Sequence, residues 1–410
     1  MKVSIIKIKS DLHNLATNNV SAYLTKAFLG IGITLGNVVE TLNNPQSIFN
    51  ALNFVNSDFI FIIGEPSSQK NYIVKKAIAE KLQLKLVINN DIKQSIAKYY
   101  ANNNIPLSQE VEHEYYIPAG ATPLNDSGFG VSGFIDATNK TKYIYLPGNV
   151  ALVENLFKTT IKNIMMASST TRYNAVYIKT FGISEIEIHD MLEDLIKNIY
   201  KITFLTHSNG MEATTIIRYN ATIDDDIINP YITKSFERLS KFVYADEDVS
   251  LAKRVYDLLE LSNKKVAISE SVTAGAITMD LATYDENNSV IKYSVICPNT
   301  ESKLKLLGAS KSIFDKYGET SIEAVYEMAA GLLETSGADY IVCTTGFDKL
   351  DANNKNVAYI AVGNIDGIHV YKNTFVGSQQ EMIKSITQTS LFYLIKNIRQ
   401  NDLLFSQTTL

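Results

Sequence analysis

The chain has 410 residues, 46% of them hydrophobic and 20% charged, with a formal net charge of −5. That length calls for roughly two to four domains, and the acidic balance gives no general attraction to nucleic acid or to an anionic membrane. Two cysteines, Cys297 and Cys343, are too few for a disulfide framework and suit a reducing compartment, and the five histidines are scattered without zinc-site spacing.

The opening MKVSIIKIKSDL alternates charged and apolar residues, the pattern of a strand and not of a secretion signal. No apolar run approaches the ~18 residues needed to span a bilayer, so a cytoplasmic location is expected. From residue 1 to about 160, strands alternate with helices: KVSIIKI, then the amphipathic NVSAYLTKAFLGIG, the helical IFNALNFV, the buried strand DFIFIIG, the helix NYIVKKAIAEKL and a later strand YIYLP. This rhythm predicts a mainly parallel sheet covered by helices on both faces. Residues 97 to 140, rich in Pro, Gly and Asn, read as a long loop-rich excursion.

From about 170 to 250 the pattern becomes that of a small α+β module: strand RYNAVYIKTFG, capped helix ISEIEIHDMLEDLIKNI, strands KITFLTH and ATTIIRYNAT, and a helix from PYITKSFERLSKFV. The α/β rhythm then returns. Helix SLAKRVYDLLELS leads to strand KKVAIS, strand KYSVIC and helix TESKLKLLG, with Thr300 as its expected N-cap. SIEAVYEMAAGLLETSG is a helix, ADYIVCTTG a strand, VAYIAVG and IHVYKNTF a hairpin, and QEMIKSITQTSLFYLIKNI the closing helix. The predicted fold class is α/β, with two α/β domains of mainly parallel sheet flanking the small α+β module.

The chemistry concentrates in VAISESVTAG, residues 266 to 275. Ser271 falls where a buried strand turns into a helix, beside N-terminal amides that can hold phosphate or an oxyanion. An amidase needs a nucleophile, a base and an oxyanion donor; Ser271 would attack, Lys303 with a lowered pKa would take the proton, and amides of the 271–275 turn would bind the oxyanion. The plain alternatives are Ser271 as a helix N-cap, Lys303 as an exposed first-turn lysine, and Glu270 as a hydrogen-bonded turn residue. Thr273 caps the helix or touches substrate. Gly275 and Gly346 serve close backbone approach, and the two cysteines are packing residues.

The three-part order resembles the competence/damage-inducible CinA family along essentially the whole chain. ESVTAG (Glu270 to Gly275) stands where the family has E-S-C-T-G-G, ESKLKLLGAS with Lys303 and Gly308 is similar to N-E-A-K-x-x-L-L-G-V, and Thr345-Gly346 matches the T-G of T-G-I-A-G-P. GISEIEIHDMLEDL and KFVYADEDVSLAKRVYDLL resemble the family's middle segment and its run into the last domain. The resemblance implies a molybdopterin-binding-like domain over 1–165, a KH-like domain over 170–248 and an amidase-like domain over 249–410. It implies deamidation of nicotinamide mononucleotide, with Ser271 and Lys303 catalytic and Glu270, Thr273, Gly275, Thr345 and Gly346 binding substrate. It further implies a homodimer acting on a small-molecule nucleotide, with no metal or other cofactor and no nucleic-acid or membrane partner.

The departures from the family pattern carry implications of their own. In place of the N-terminal G-G-L-G-P-T-x-D-D-L-T stands GEPSSQKNYIV, residues 64 to 74, with Asn71 and Tyr72 where two carboxylates would be. IKSDLHNL replaces V-G-D-E-L-L and PGNVALV replaces P-G-V-P-x-E. A divalent metal then lacks its paired acids, which argues against a nucleotide (ADP-ribose) pyrophosphatase there. Near the amidase motifs, Pro298 replaces a tyrosine, FDKLDANN replaces the loop after Thr345-Gly346, and Gln379 replaces an arginine. Each lost charge-assisted phosphate contact is worth about 1.5–3 kcal/mol. Two readings therefore stay open: a weakened amidase, or a catalytically degenerate nucleotide-binding or scaffold protein. The middle segment has no G-x-x-G, so KH-type RNA binding is not expected.

Overall fold

The computed structural model describes residues 1–9, 15–33, 35–65, 68–137, 140–168, 173–197, 202–350 and 356–401. The chain divides into two compact units, residues 1–175 with 218–223, and residues 176–217 with 224–410.

The first unit runs β1 (Val3–Lys9), α1 (Leu15–Gly30), β2 (Leu35–Leu42), α2 (Pro45–Phe54), β3 (Phe59–Ile63), α3 (Ser68–Leu82), β4 (Leu86–Ile88) and α4 (Asn90–Asn102). A 3₁₀ segment, Gln109–Tyr115, leads to β5 (Tyr116–Pro118), β6 (Thr122–Leu124), β7 (Gly133–Asp136) and β8 (Lys142–Leu146). α5 (Val150–Leu156) passes through a π turn into α6 (Lys162–Ser168). Six strands form one sheet in the order β2-β1-β3-β8-β7-β6. β2, β1, β3 and β8 are parallel, and β7 and β6 are antiparallel to their neighbours.

Side-chain alternation explains the layers. Val3, Ile5, Phe59, Phe61 and Ile63 enter one core, while Ile6, Ile8, Ile60 and Ile62 enter the other. The central strand FIFII is buried throughout, as a strand covered on both faces must be.

The segment expected to be loop-rich, 97–140, proves more ordered: it holds the end of α4, the 3₁₀ segment and β5 to β7. Pro118 and Pro123 sit in short strands of two-stranded or edge pairings, where a proline's missing donor does little harm. Those prolines gave the stretch its loop-like look.

β9 (Tyr173–Phe181), α7 (Glu185–Ile196), β10 (Ile202–Asn209), β11 (Glu212–Asn220), α8 (Asp225–Leu239) and β12 (Val243–Ala245) follow, and the four strands form a sheet ordered β10-β11-β9-β12. A capping box between Ser184 and Glu187 starts α7. α8 begins five residues before Pro230, because Asp224 caps it and Asp225 and Asp226 occupy its first turn. The sequence pattern alone, PYITKSFERLSKFV, starts that helix at the proline.

The rest of the chain is α9 (Leu251–Leu261), β13 (Val266–Glu270), α10 (Ala276–Ala282), β14 (Ile291–Ile296), α11 (Thr300–Leu307), α12 (Lys311–Tyr317), α13 (Ile322–Ser336), β15 (Tyr340–Leu350), β16 (Asn356–Asn364), β17 (Gly367–Phe375) and α14 (Gln379–Asn401). The five strands β14-β13-β15-β16-β17 form one sheet. The first three are parallel, and the expected hairpin adds the last two antiparallel. One core packs beneath α9, α10 and α14, and a second lies under α11 to α13. Late in α14, Arg399 donates to the carbonyls of Val243 (3.0 Å) and Tyr244 (2.6 Å) in β12, and Gln388 donates to Glu212 in β11. Among the described residues no helix is long and apolar enough to cross a membrane.

Candidate active site

The parallel strands β14 and β13 end beside the middle of β15, which runs on as the partner of β16, with Glu270 in register with Ile296 on one flank and Thr344 on the other. Ser271 and Cys297 are therefore the first residues beyond the ends of β13 and β14, level with Thr345 inside β15, at the carboxyl edge where ligands of open α/β sheets collect. Backbone bonds lock this edge: Ser271 N–H donates to the Thr344 carbonyl at 3.0 Å and Cys297 N–H to the Glu270 carbonyl at 2.7 Å.

The turn after β13 is not a direct entry into helix. α10 starts at Ala276 with Gly275 as its N-cap, so the N-cap reading of Ser271 does not hold. Ala274 (φ 51°) and Gly275 (φ 99°) both lie in the left-handed region. Glycine tolerates that geometry and alanine resists it; the resembling motif has glycine at both positions, and this chain keeps only the second.

The expectation of free helix-start amides is also corrected. Glu270 is fully buried, and its carboxyl accepts from Gly275 N–H (3.0 Å), Ile277 N–H (3.1 Å), Thr278 N–H (2.9 Å) and the Thr278 hydroxyl (2.7 Å). Those donors are already spent. The N–H groups of Val272, Thr273 and Ala274, by contrast, donate to no described residue. Glu270 thus pins the turn, and Thr273 adds a bond from its hydroxyl to that of Thr344 (2.8 Å). The Ser271 hydroxyl has no hydrogen-bond partner among the described residues.

Lys303 is not the exposed first-turn lysine of the plain alternative. It is 1% exposed and pairs with Glu319 at 3.2 Å, with the ring of Phe314 at 5.9 Å. The cap of α11 is Asn299, which forms a capping box with Ser302 and displaces Thr300 from the expected N-cap position. Thr300 turns to Glu319 instead, giving it an N–H bond of 3.1 Å and a hydroxyl bond.

Glu319 is the residue that sequence reasoning missed. Its carbonyl accepts from the Thr345 hydroxyl at 3.0 Å while its carboxylate holds Lys303, so one residue joins two expected site members. Burial pushes its carboxyl up, but the hydrogen bonds from Thr300 and the charge and hydrogen bond of Lys303 outweigh that and hold it below its ordinary value. Its only signal in sequence is an acid just ahead of α13, and no spacing links that acid to Lys303.

Cys297 is buried, and burial raises its thiol above the ordinary value, partly offset by a hydrogen bond from Ser269 and by the charge of Lys303. Cys343, also buried, is pushed up further. Both fit the packing role expected of them. A Cβ on Gly346 would lie 2.8 Å from the Cα of Ala358 in β16, so close strand approach requires glycine there. Ser271 and Lys303 make no direct hydrogen bond to each other in this arrangement. Gln379 begins α14 and is exposed, as is Pro298. Of the departing FDKLDANN segment, 347–350 continue β15, and 351–354 lie outside the described residues.

In the first unit, the place of the expected Gly-rich loop is filled differently. Lys75 and Glu114, both fully buried, pair at 2.9 Å, and Asn71 donates to Glu114 at 3.4 Å. A cation of the chain itself is thus buried close to Asn71, one of the two positions where the resembling motif has acids.

Fold and site together define an α/β protein with a serine turn and a buried lysine grouped at the carboxyl ends of a mainly parallel sheet. Residues 248–398 match the CinA C-terminal domain model. A relative from Caldicellulosiruptor saccharolyticus, whose name places it among the competence-damage inducible proteins, is 23% identical over 390 residues, 93% of this chain and 95% of its own. A CinA-like protein of Kosmotoga olearia is 25% identical over 354 residues, 84% of this chain and 85% of its own. Among solved structures, a CinA protein of unknown function from Thermoplasma acidophilum is 20% identical, covering 40% of this chain and 97% of that one with a TM-score of 0.35. Residues 248–398 thus carry the CinA C-terminal domain, and the chain as a whole is similar over most of its length to competence-damage inducible and CinA-like proteins.

Proposed function

We propose that the turn at Ser271 is the site of a nicotinamide-nucleotide amidohydrolase, converting nicotinamide mononucleotide to nicotinate mononucleotide and ammonia. The Ser271 oxygen attacks the carboxamide carbon and Lys303 takes the hydroxyl proton. The tetrahedral oxyanion is held by N–H groups of the 272–274 turn. Collapse passes the proton to the leaving nitrogen, which departs as ammonia, and water then hydrolyses the ester to release the acid and restore the hydroxyl. Thr345 and Gly346 form the neighbouring wall, with Thr273 and Glu270 fixing the turn.

The observation that carries this reading is the Ser271 hydroxyl, without a partner among the described residues, on a strained turn, with amide N–H groups beside it that are free to donate and a buried lysine tied to the adjacent strand through Glu319. One observation favours the second reading, a nucleotide-binding or scaffold protein without turnover: the Lys303 ammonium is already matched by a carboxylate, which opposes its service as a base. The buried Lys75–Glu114 pair likewise weighs against a metal-dependent pyrophosphatase in the first unit.

Ammonia release from nicotinamide mononucleotide by the purified protein, measured beside Ser271→Ala, tests the proposal. Removing a catalytic nucleophile should lower the rate at least a hundredfold. Release no faster than from the variant, at high enzyme concentration, would leave only the non-catalytic reading.

A further inference from the structure

A second site lies in the unit of residues 176–217 and 224–410, away from Ser271. A cleft of about 630 Å³ is lined by the end of β9, the residues after α8, β17 and the later half of α14. That volume is in the range of pockets that take small molecules, roughly 300–1,000 Å³.

Its chemistry is one-sided. Three lysines line it, Lys241, Lys372 and Lys396, and none of the lining residues is an Asp or Glu. Among the described residues none of the three has an ion-pair partner, although the chain as a whole carries 43 acidic against 38 basic residues. All three residues are exposed, so solvent screens their mutual repulsion, but an anion held among them would still relieve it.

Aromatic rings make up much of the remaining wall, beside Met211 and two threonines. Phe392 packs on Phe181 in a tilted arrangement, with centroids 4.9 Å apart at 39°, and carries Lys396 over its face at 4.7 Å. Tyr393 stacks on Tyr371 at 3.9 Å and 19°, and its hydroxyl is fixed by Asn373 at 3.1 Å. Such pre-set rings lose little freedom when a planar group lies against them. Partial desolvation beside Phe392 pushes the Lys396 ammonium below its ordinary value, although the residue keeps an exposed surface.

We propose that this cleft binds a nucleotide, whose phosphates are met by Lys241, Lys372 and Lys396 and whose base lies against the aromatic wall. Lysines act here as point charges toward phosphate, and the rings take the base without demanding one sequence of hydrogen bonds. The site is independent of the chemistry at Ser271 and stands whether or not that site turns over.

Calorimetric titration of the full chain with ADP tests it, with adenosine and inorganic pyrophosphate as half-ligands. ADP should bind one-to-one and more tightly than either half. Lys372→Gln with Lys396→Gln should weaken it at least tenfold, and raised salt should weaken it in the wild type. A measurement needing no variant guards against misfolding: ADP should slow acetylation of Lys372 and Lys396 in the wild-type protein, read by mass spectrometry. Absence of binding at millimolar ADP, affinity unchanged in the well-folded double variant, or acetylation indifferent to ADP would each overturn the assignment.

Discussion

Replacing Glu270 by glutamine keeps the size of the side chain and removes its ability to accept on both ends. In the native turn one oxygen takes Gly275 and Ile277 N–H, and the other takes Thr278 N–H and hydroxyl. The amide NH₂ will settle toward Thr278, since that hydroxyl also contacts Ser294 at 2.6 Å and can rotate to accept. The Thr278 N–H then faces a donor and loses its partner, at about 1–3 kcal/mol. The two surviving bonds fall from charge-assisted to neutral strength, roughly half. Together these give about 2–4 kcal/mol. For a unit of this size each kcal/mol moves the melting point by about 2–4 °C, so Glu270→Gln should lower the transition of that unit by roughly 5–15 °C. Calorimetry reads the shift, and hydrogen exchange reads the cause, because the amides of Gly275, Ile277 and Thr278 should lose protection ahead of the rest of α10. A shift under about 1 °C with these three amides still protected would refute the claim that Glu270 holds the turn.

Ala274→Gly relieves a left-handed alanine and should stabilise the same unit by about 0.5–1 kcal/mol, seen as a higher denaturant midpoint at unchanged slope. Lys75→Met leaves Glu114 buried and unpaired, at about 3–5 kcal/mol by denaturant titration, and Lys75→Met with Glu114→Leu should recover most of that loss. Burial pushes the Asp285 carboxyl up, but bonds from Ile291, Val290 and Ser289 outweigh it and leave it below its ordinary value. Its contribution is then present above the unfolded carboxylate range, near pH 4, and is lost as pH falls through the lower folded value. The stability gap between wild type and Asp285→Asn should accordingly be widest near neutrality and close on acidification. On the amidase proposal, Lys303→Met should abolish ammonia release while leaving the fold intact by circular dichroism; a variant retaining the wild-type rate would remove Lys303 from the chemistry.

Strands such as FIFII and VAISE were legible because an unbroken apolar run has few other uses, and α7 because its capping box is local. β2 and β12 were not, since their pairing depends on neighbours far along the chain. At the candidate site, sequence placed Ser271 on a strand-end turn but could not tell that Glu270 would consume the helix amides. Both facts arise within nine residues, yet the second depends on which way one buried side chain turns. Lys303 looked like a surface lysine because its partner, Glu319, is 16 residues away with no periodic relation. Thr300 lost the cap to Asn299 by the same competition, a hydroxyl drawn to a distant carboxylate.

The closing helix α14 has a mechanical consequence. Its 23 residues make a rod of about 35 Å. One end starts at Gln379, where the family carries an arginine, and the other is fastened by Arg399 to the backbone of β12. Burial drops that guanidinium to about 10, and its two hydrogen bonds to β12 go to main-chain carbonyls, so the fastening does not depend on any side chain of β12. Seated along its length by Met382, Ile386, Leu394 and Ile398 and gripped at its end by main-chain bonds, the helix ties β12 to the core beneath it whatever side chains β12 carries.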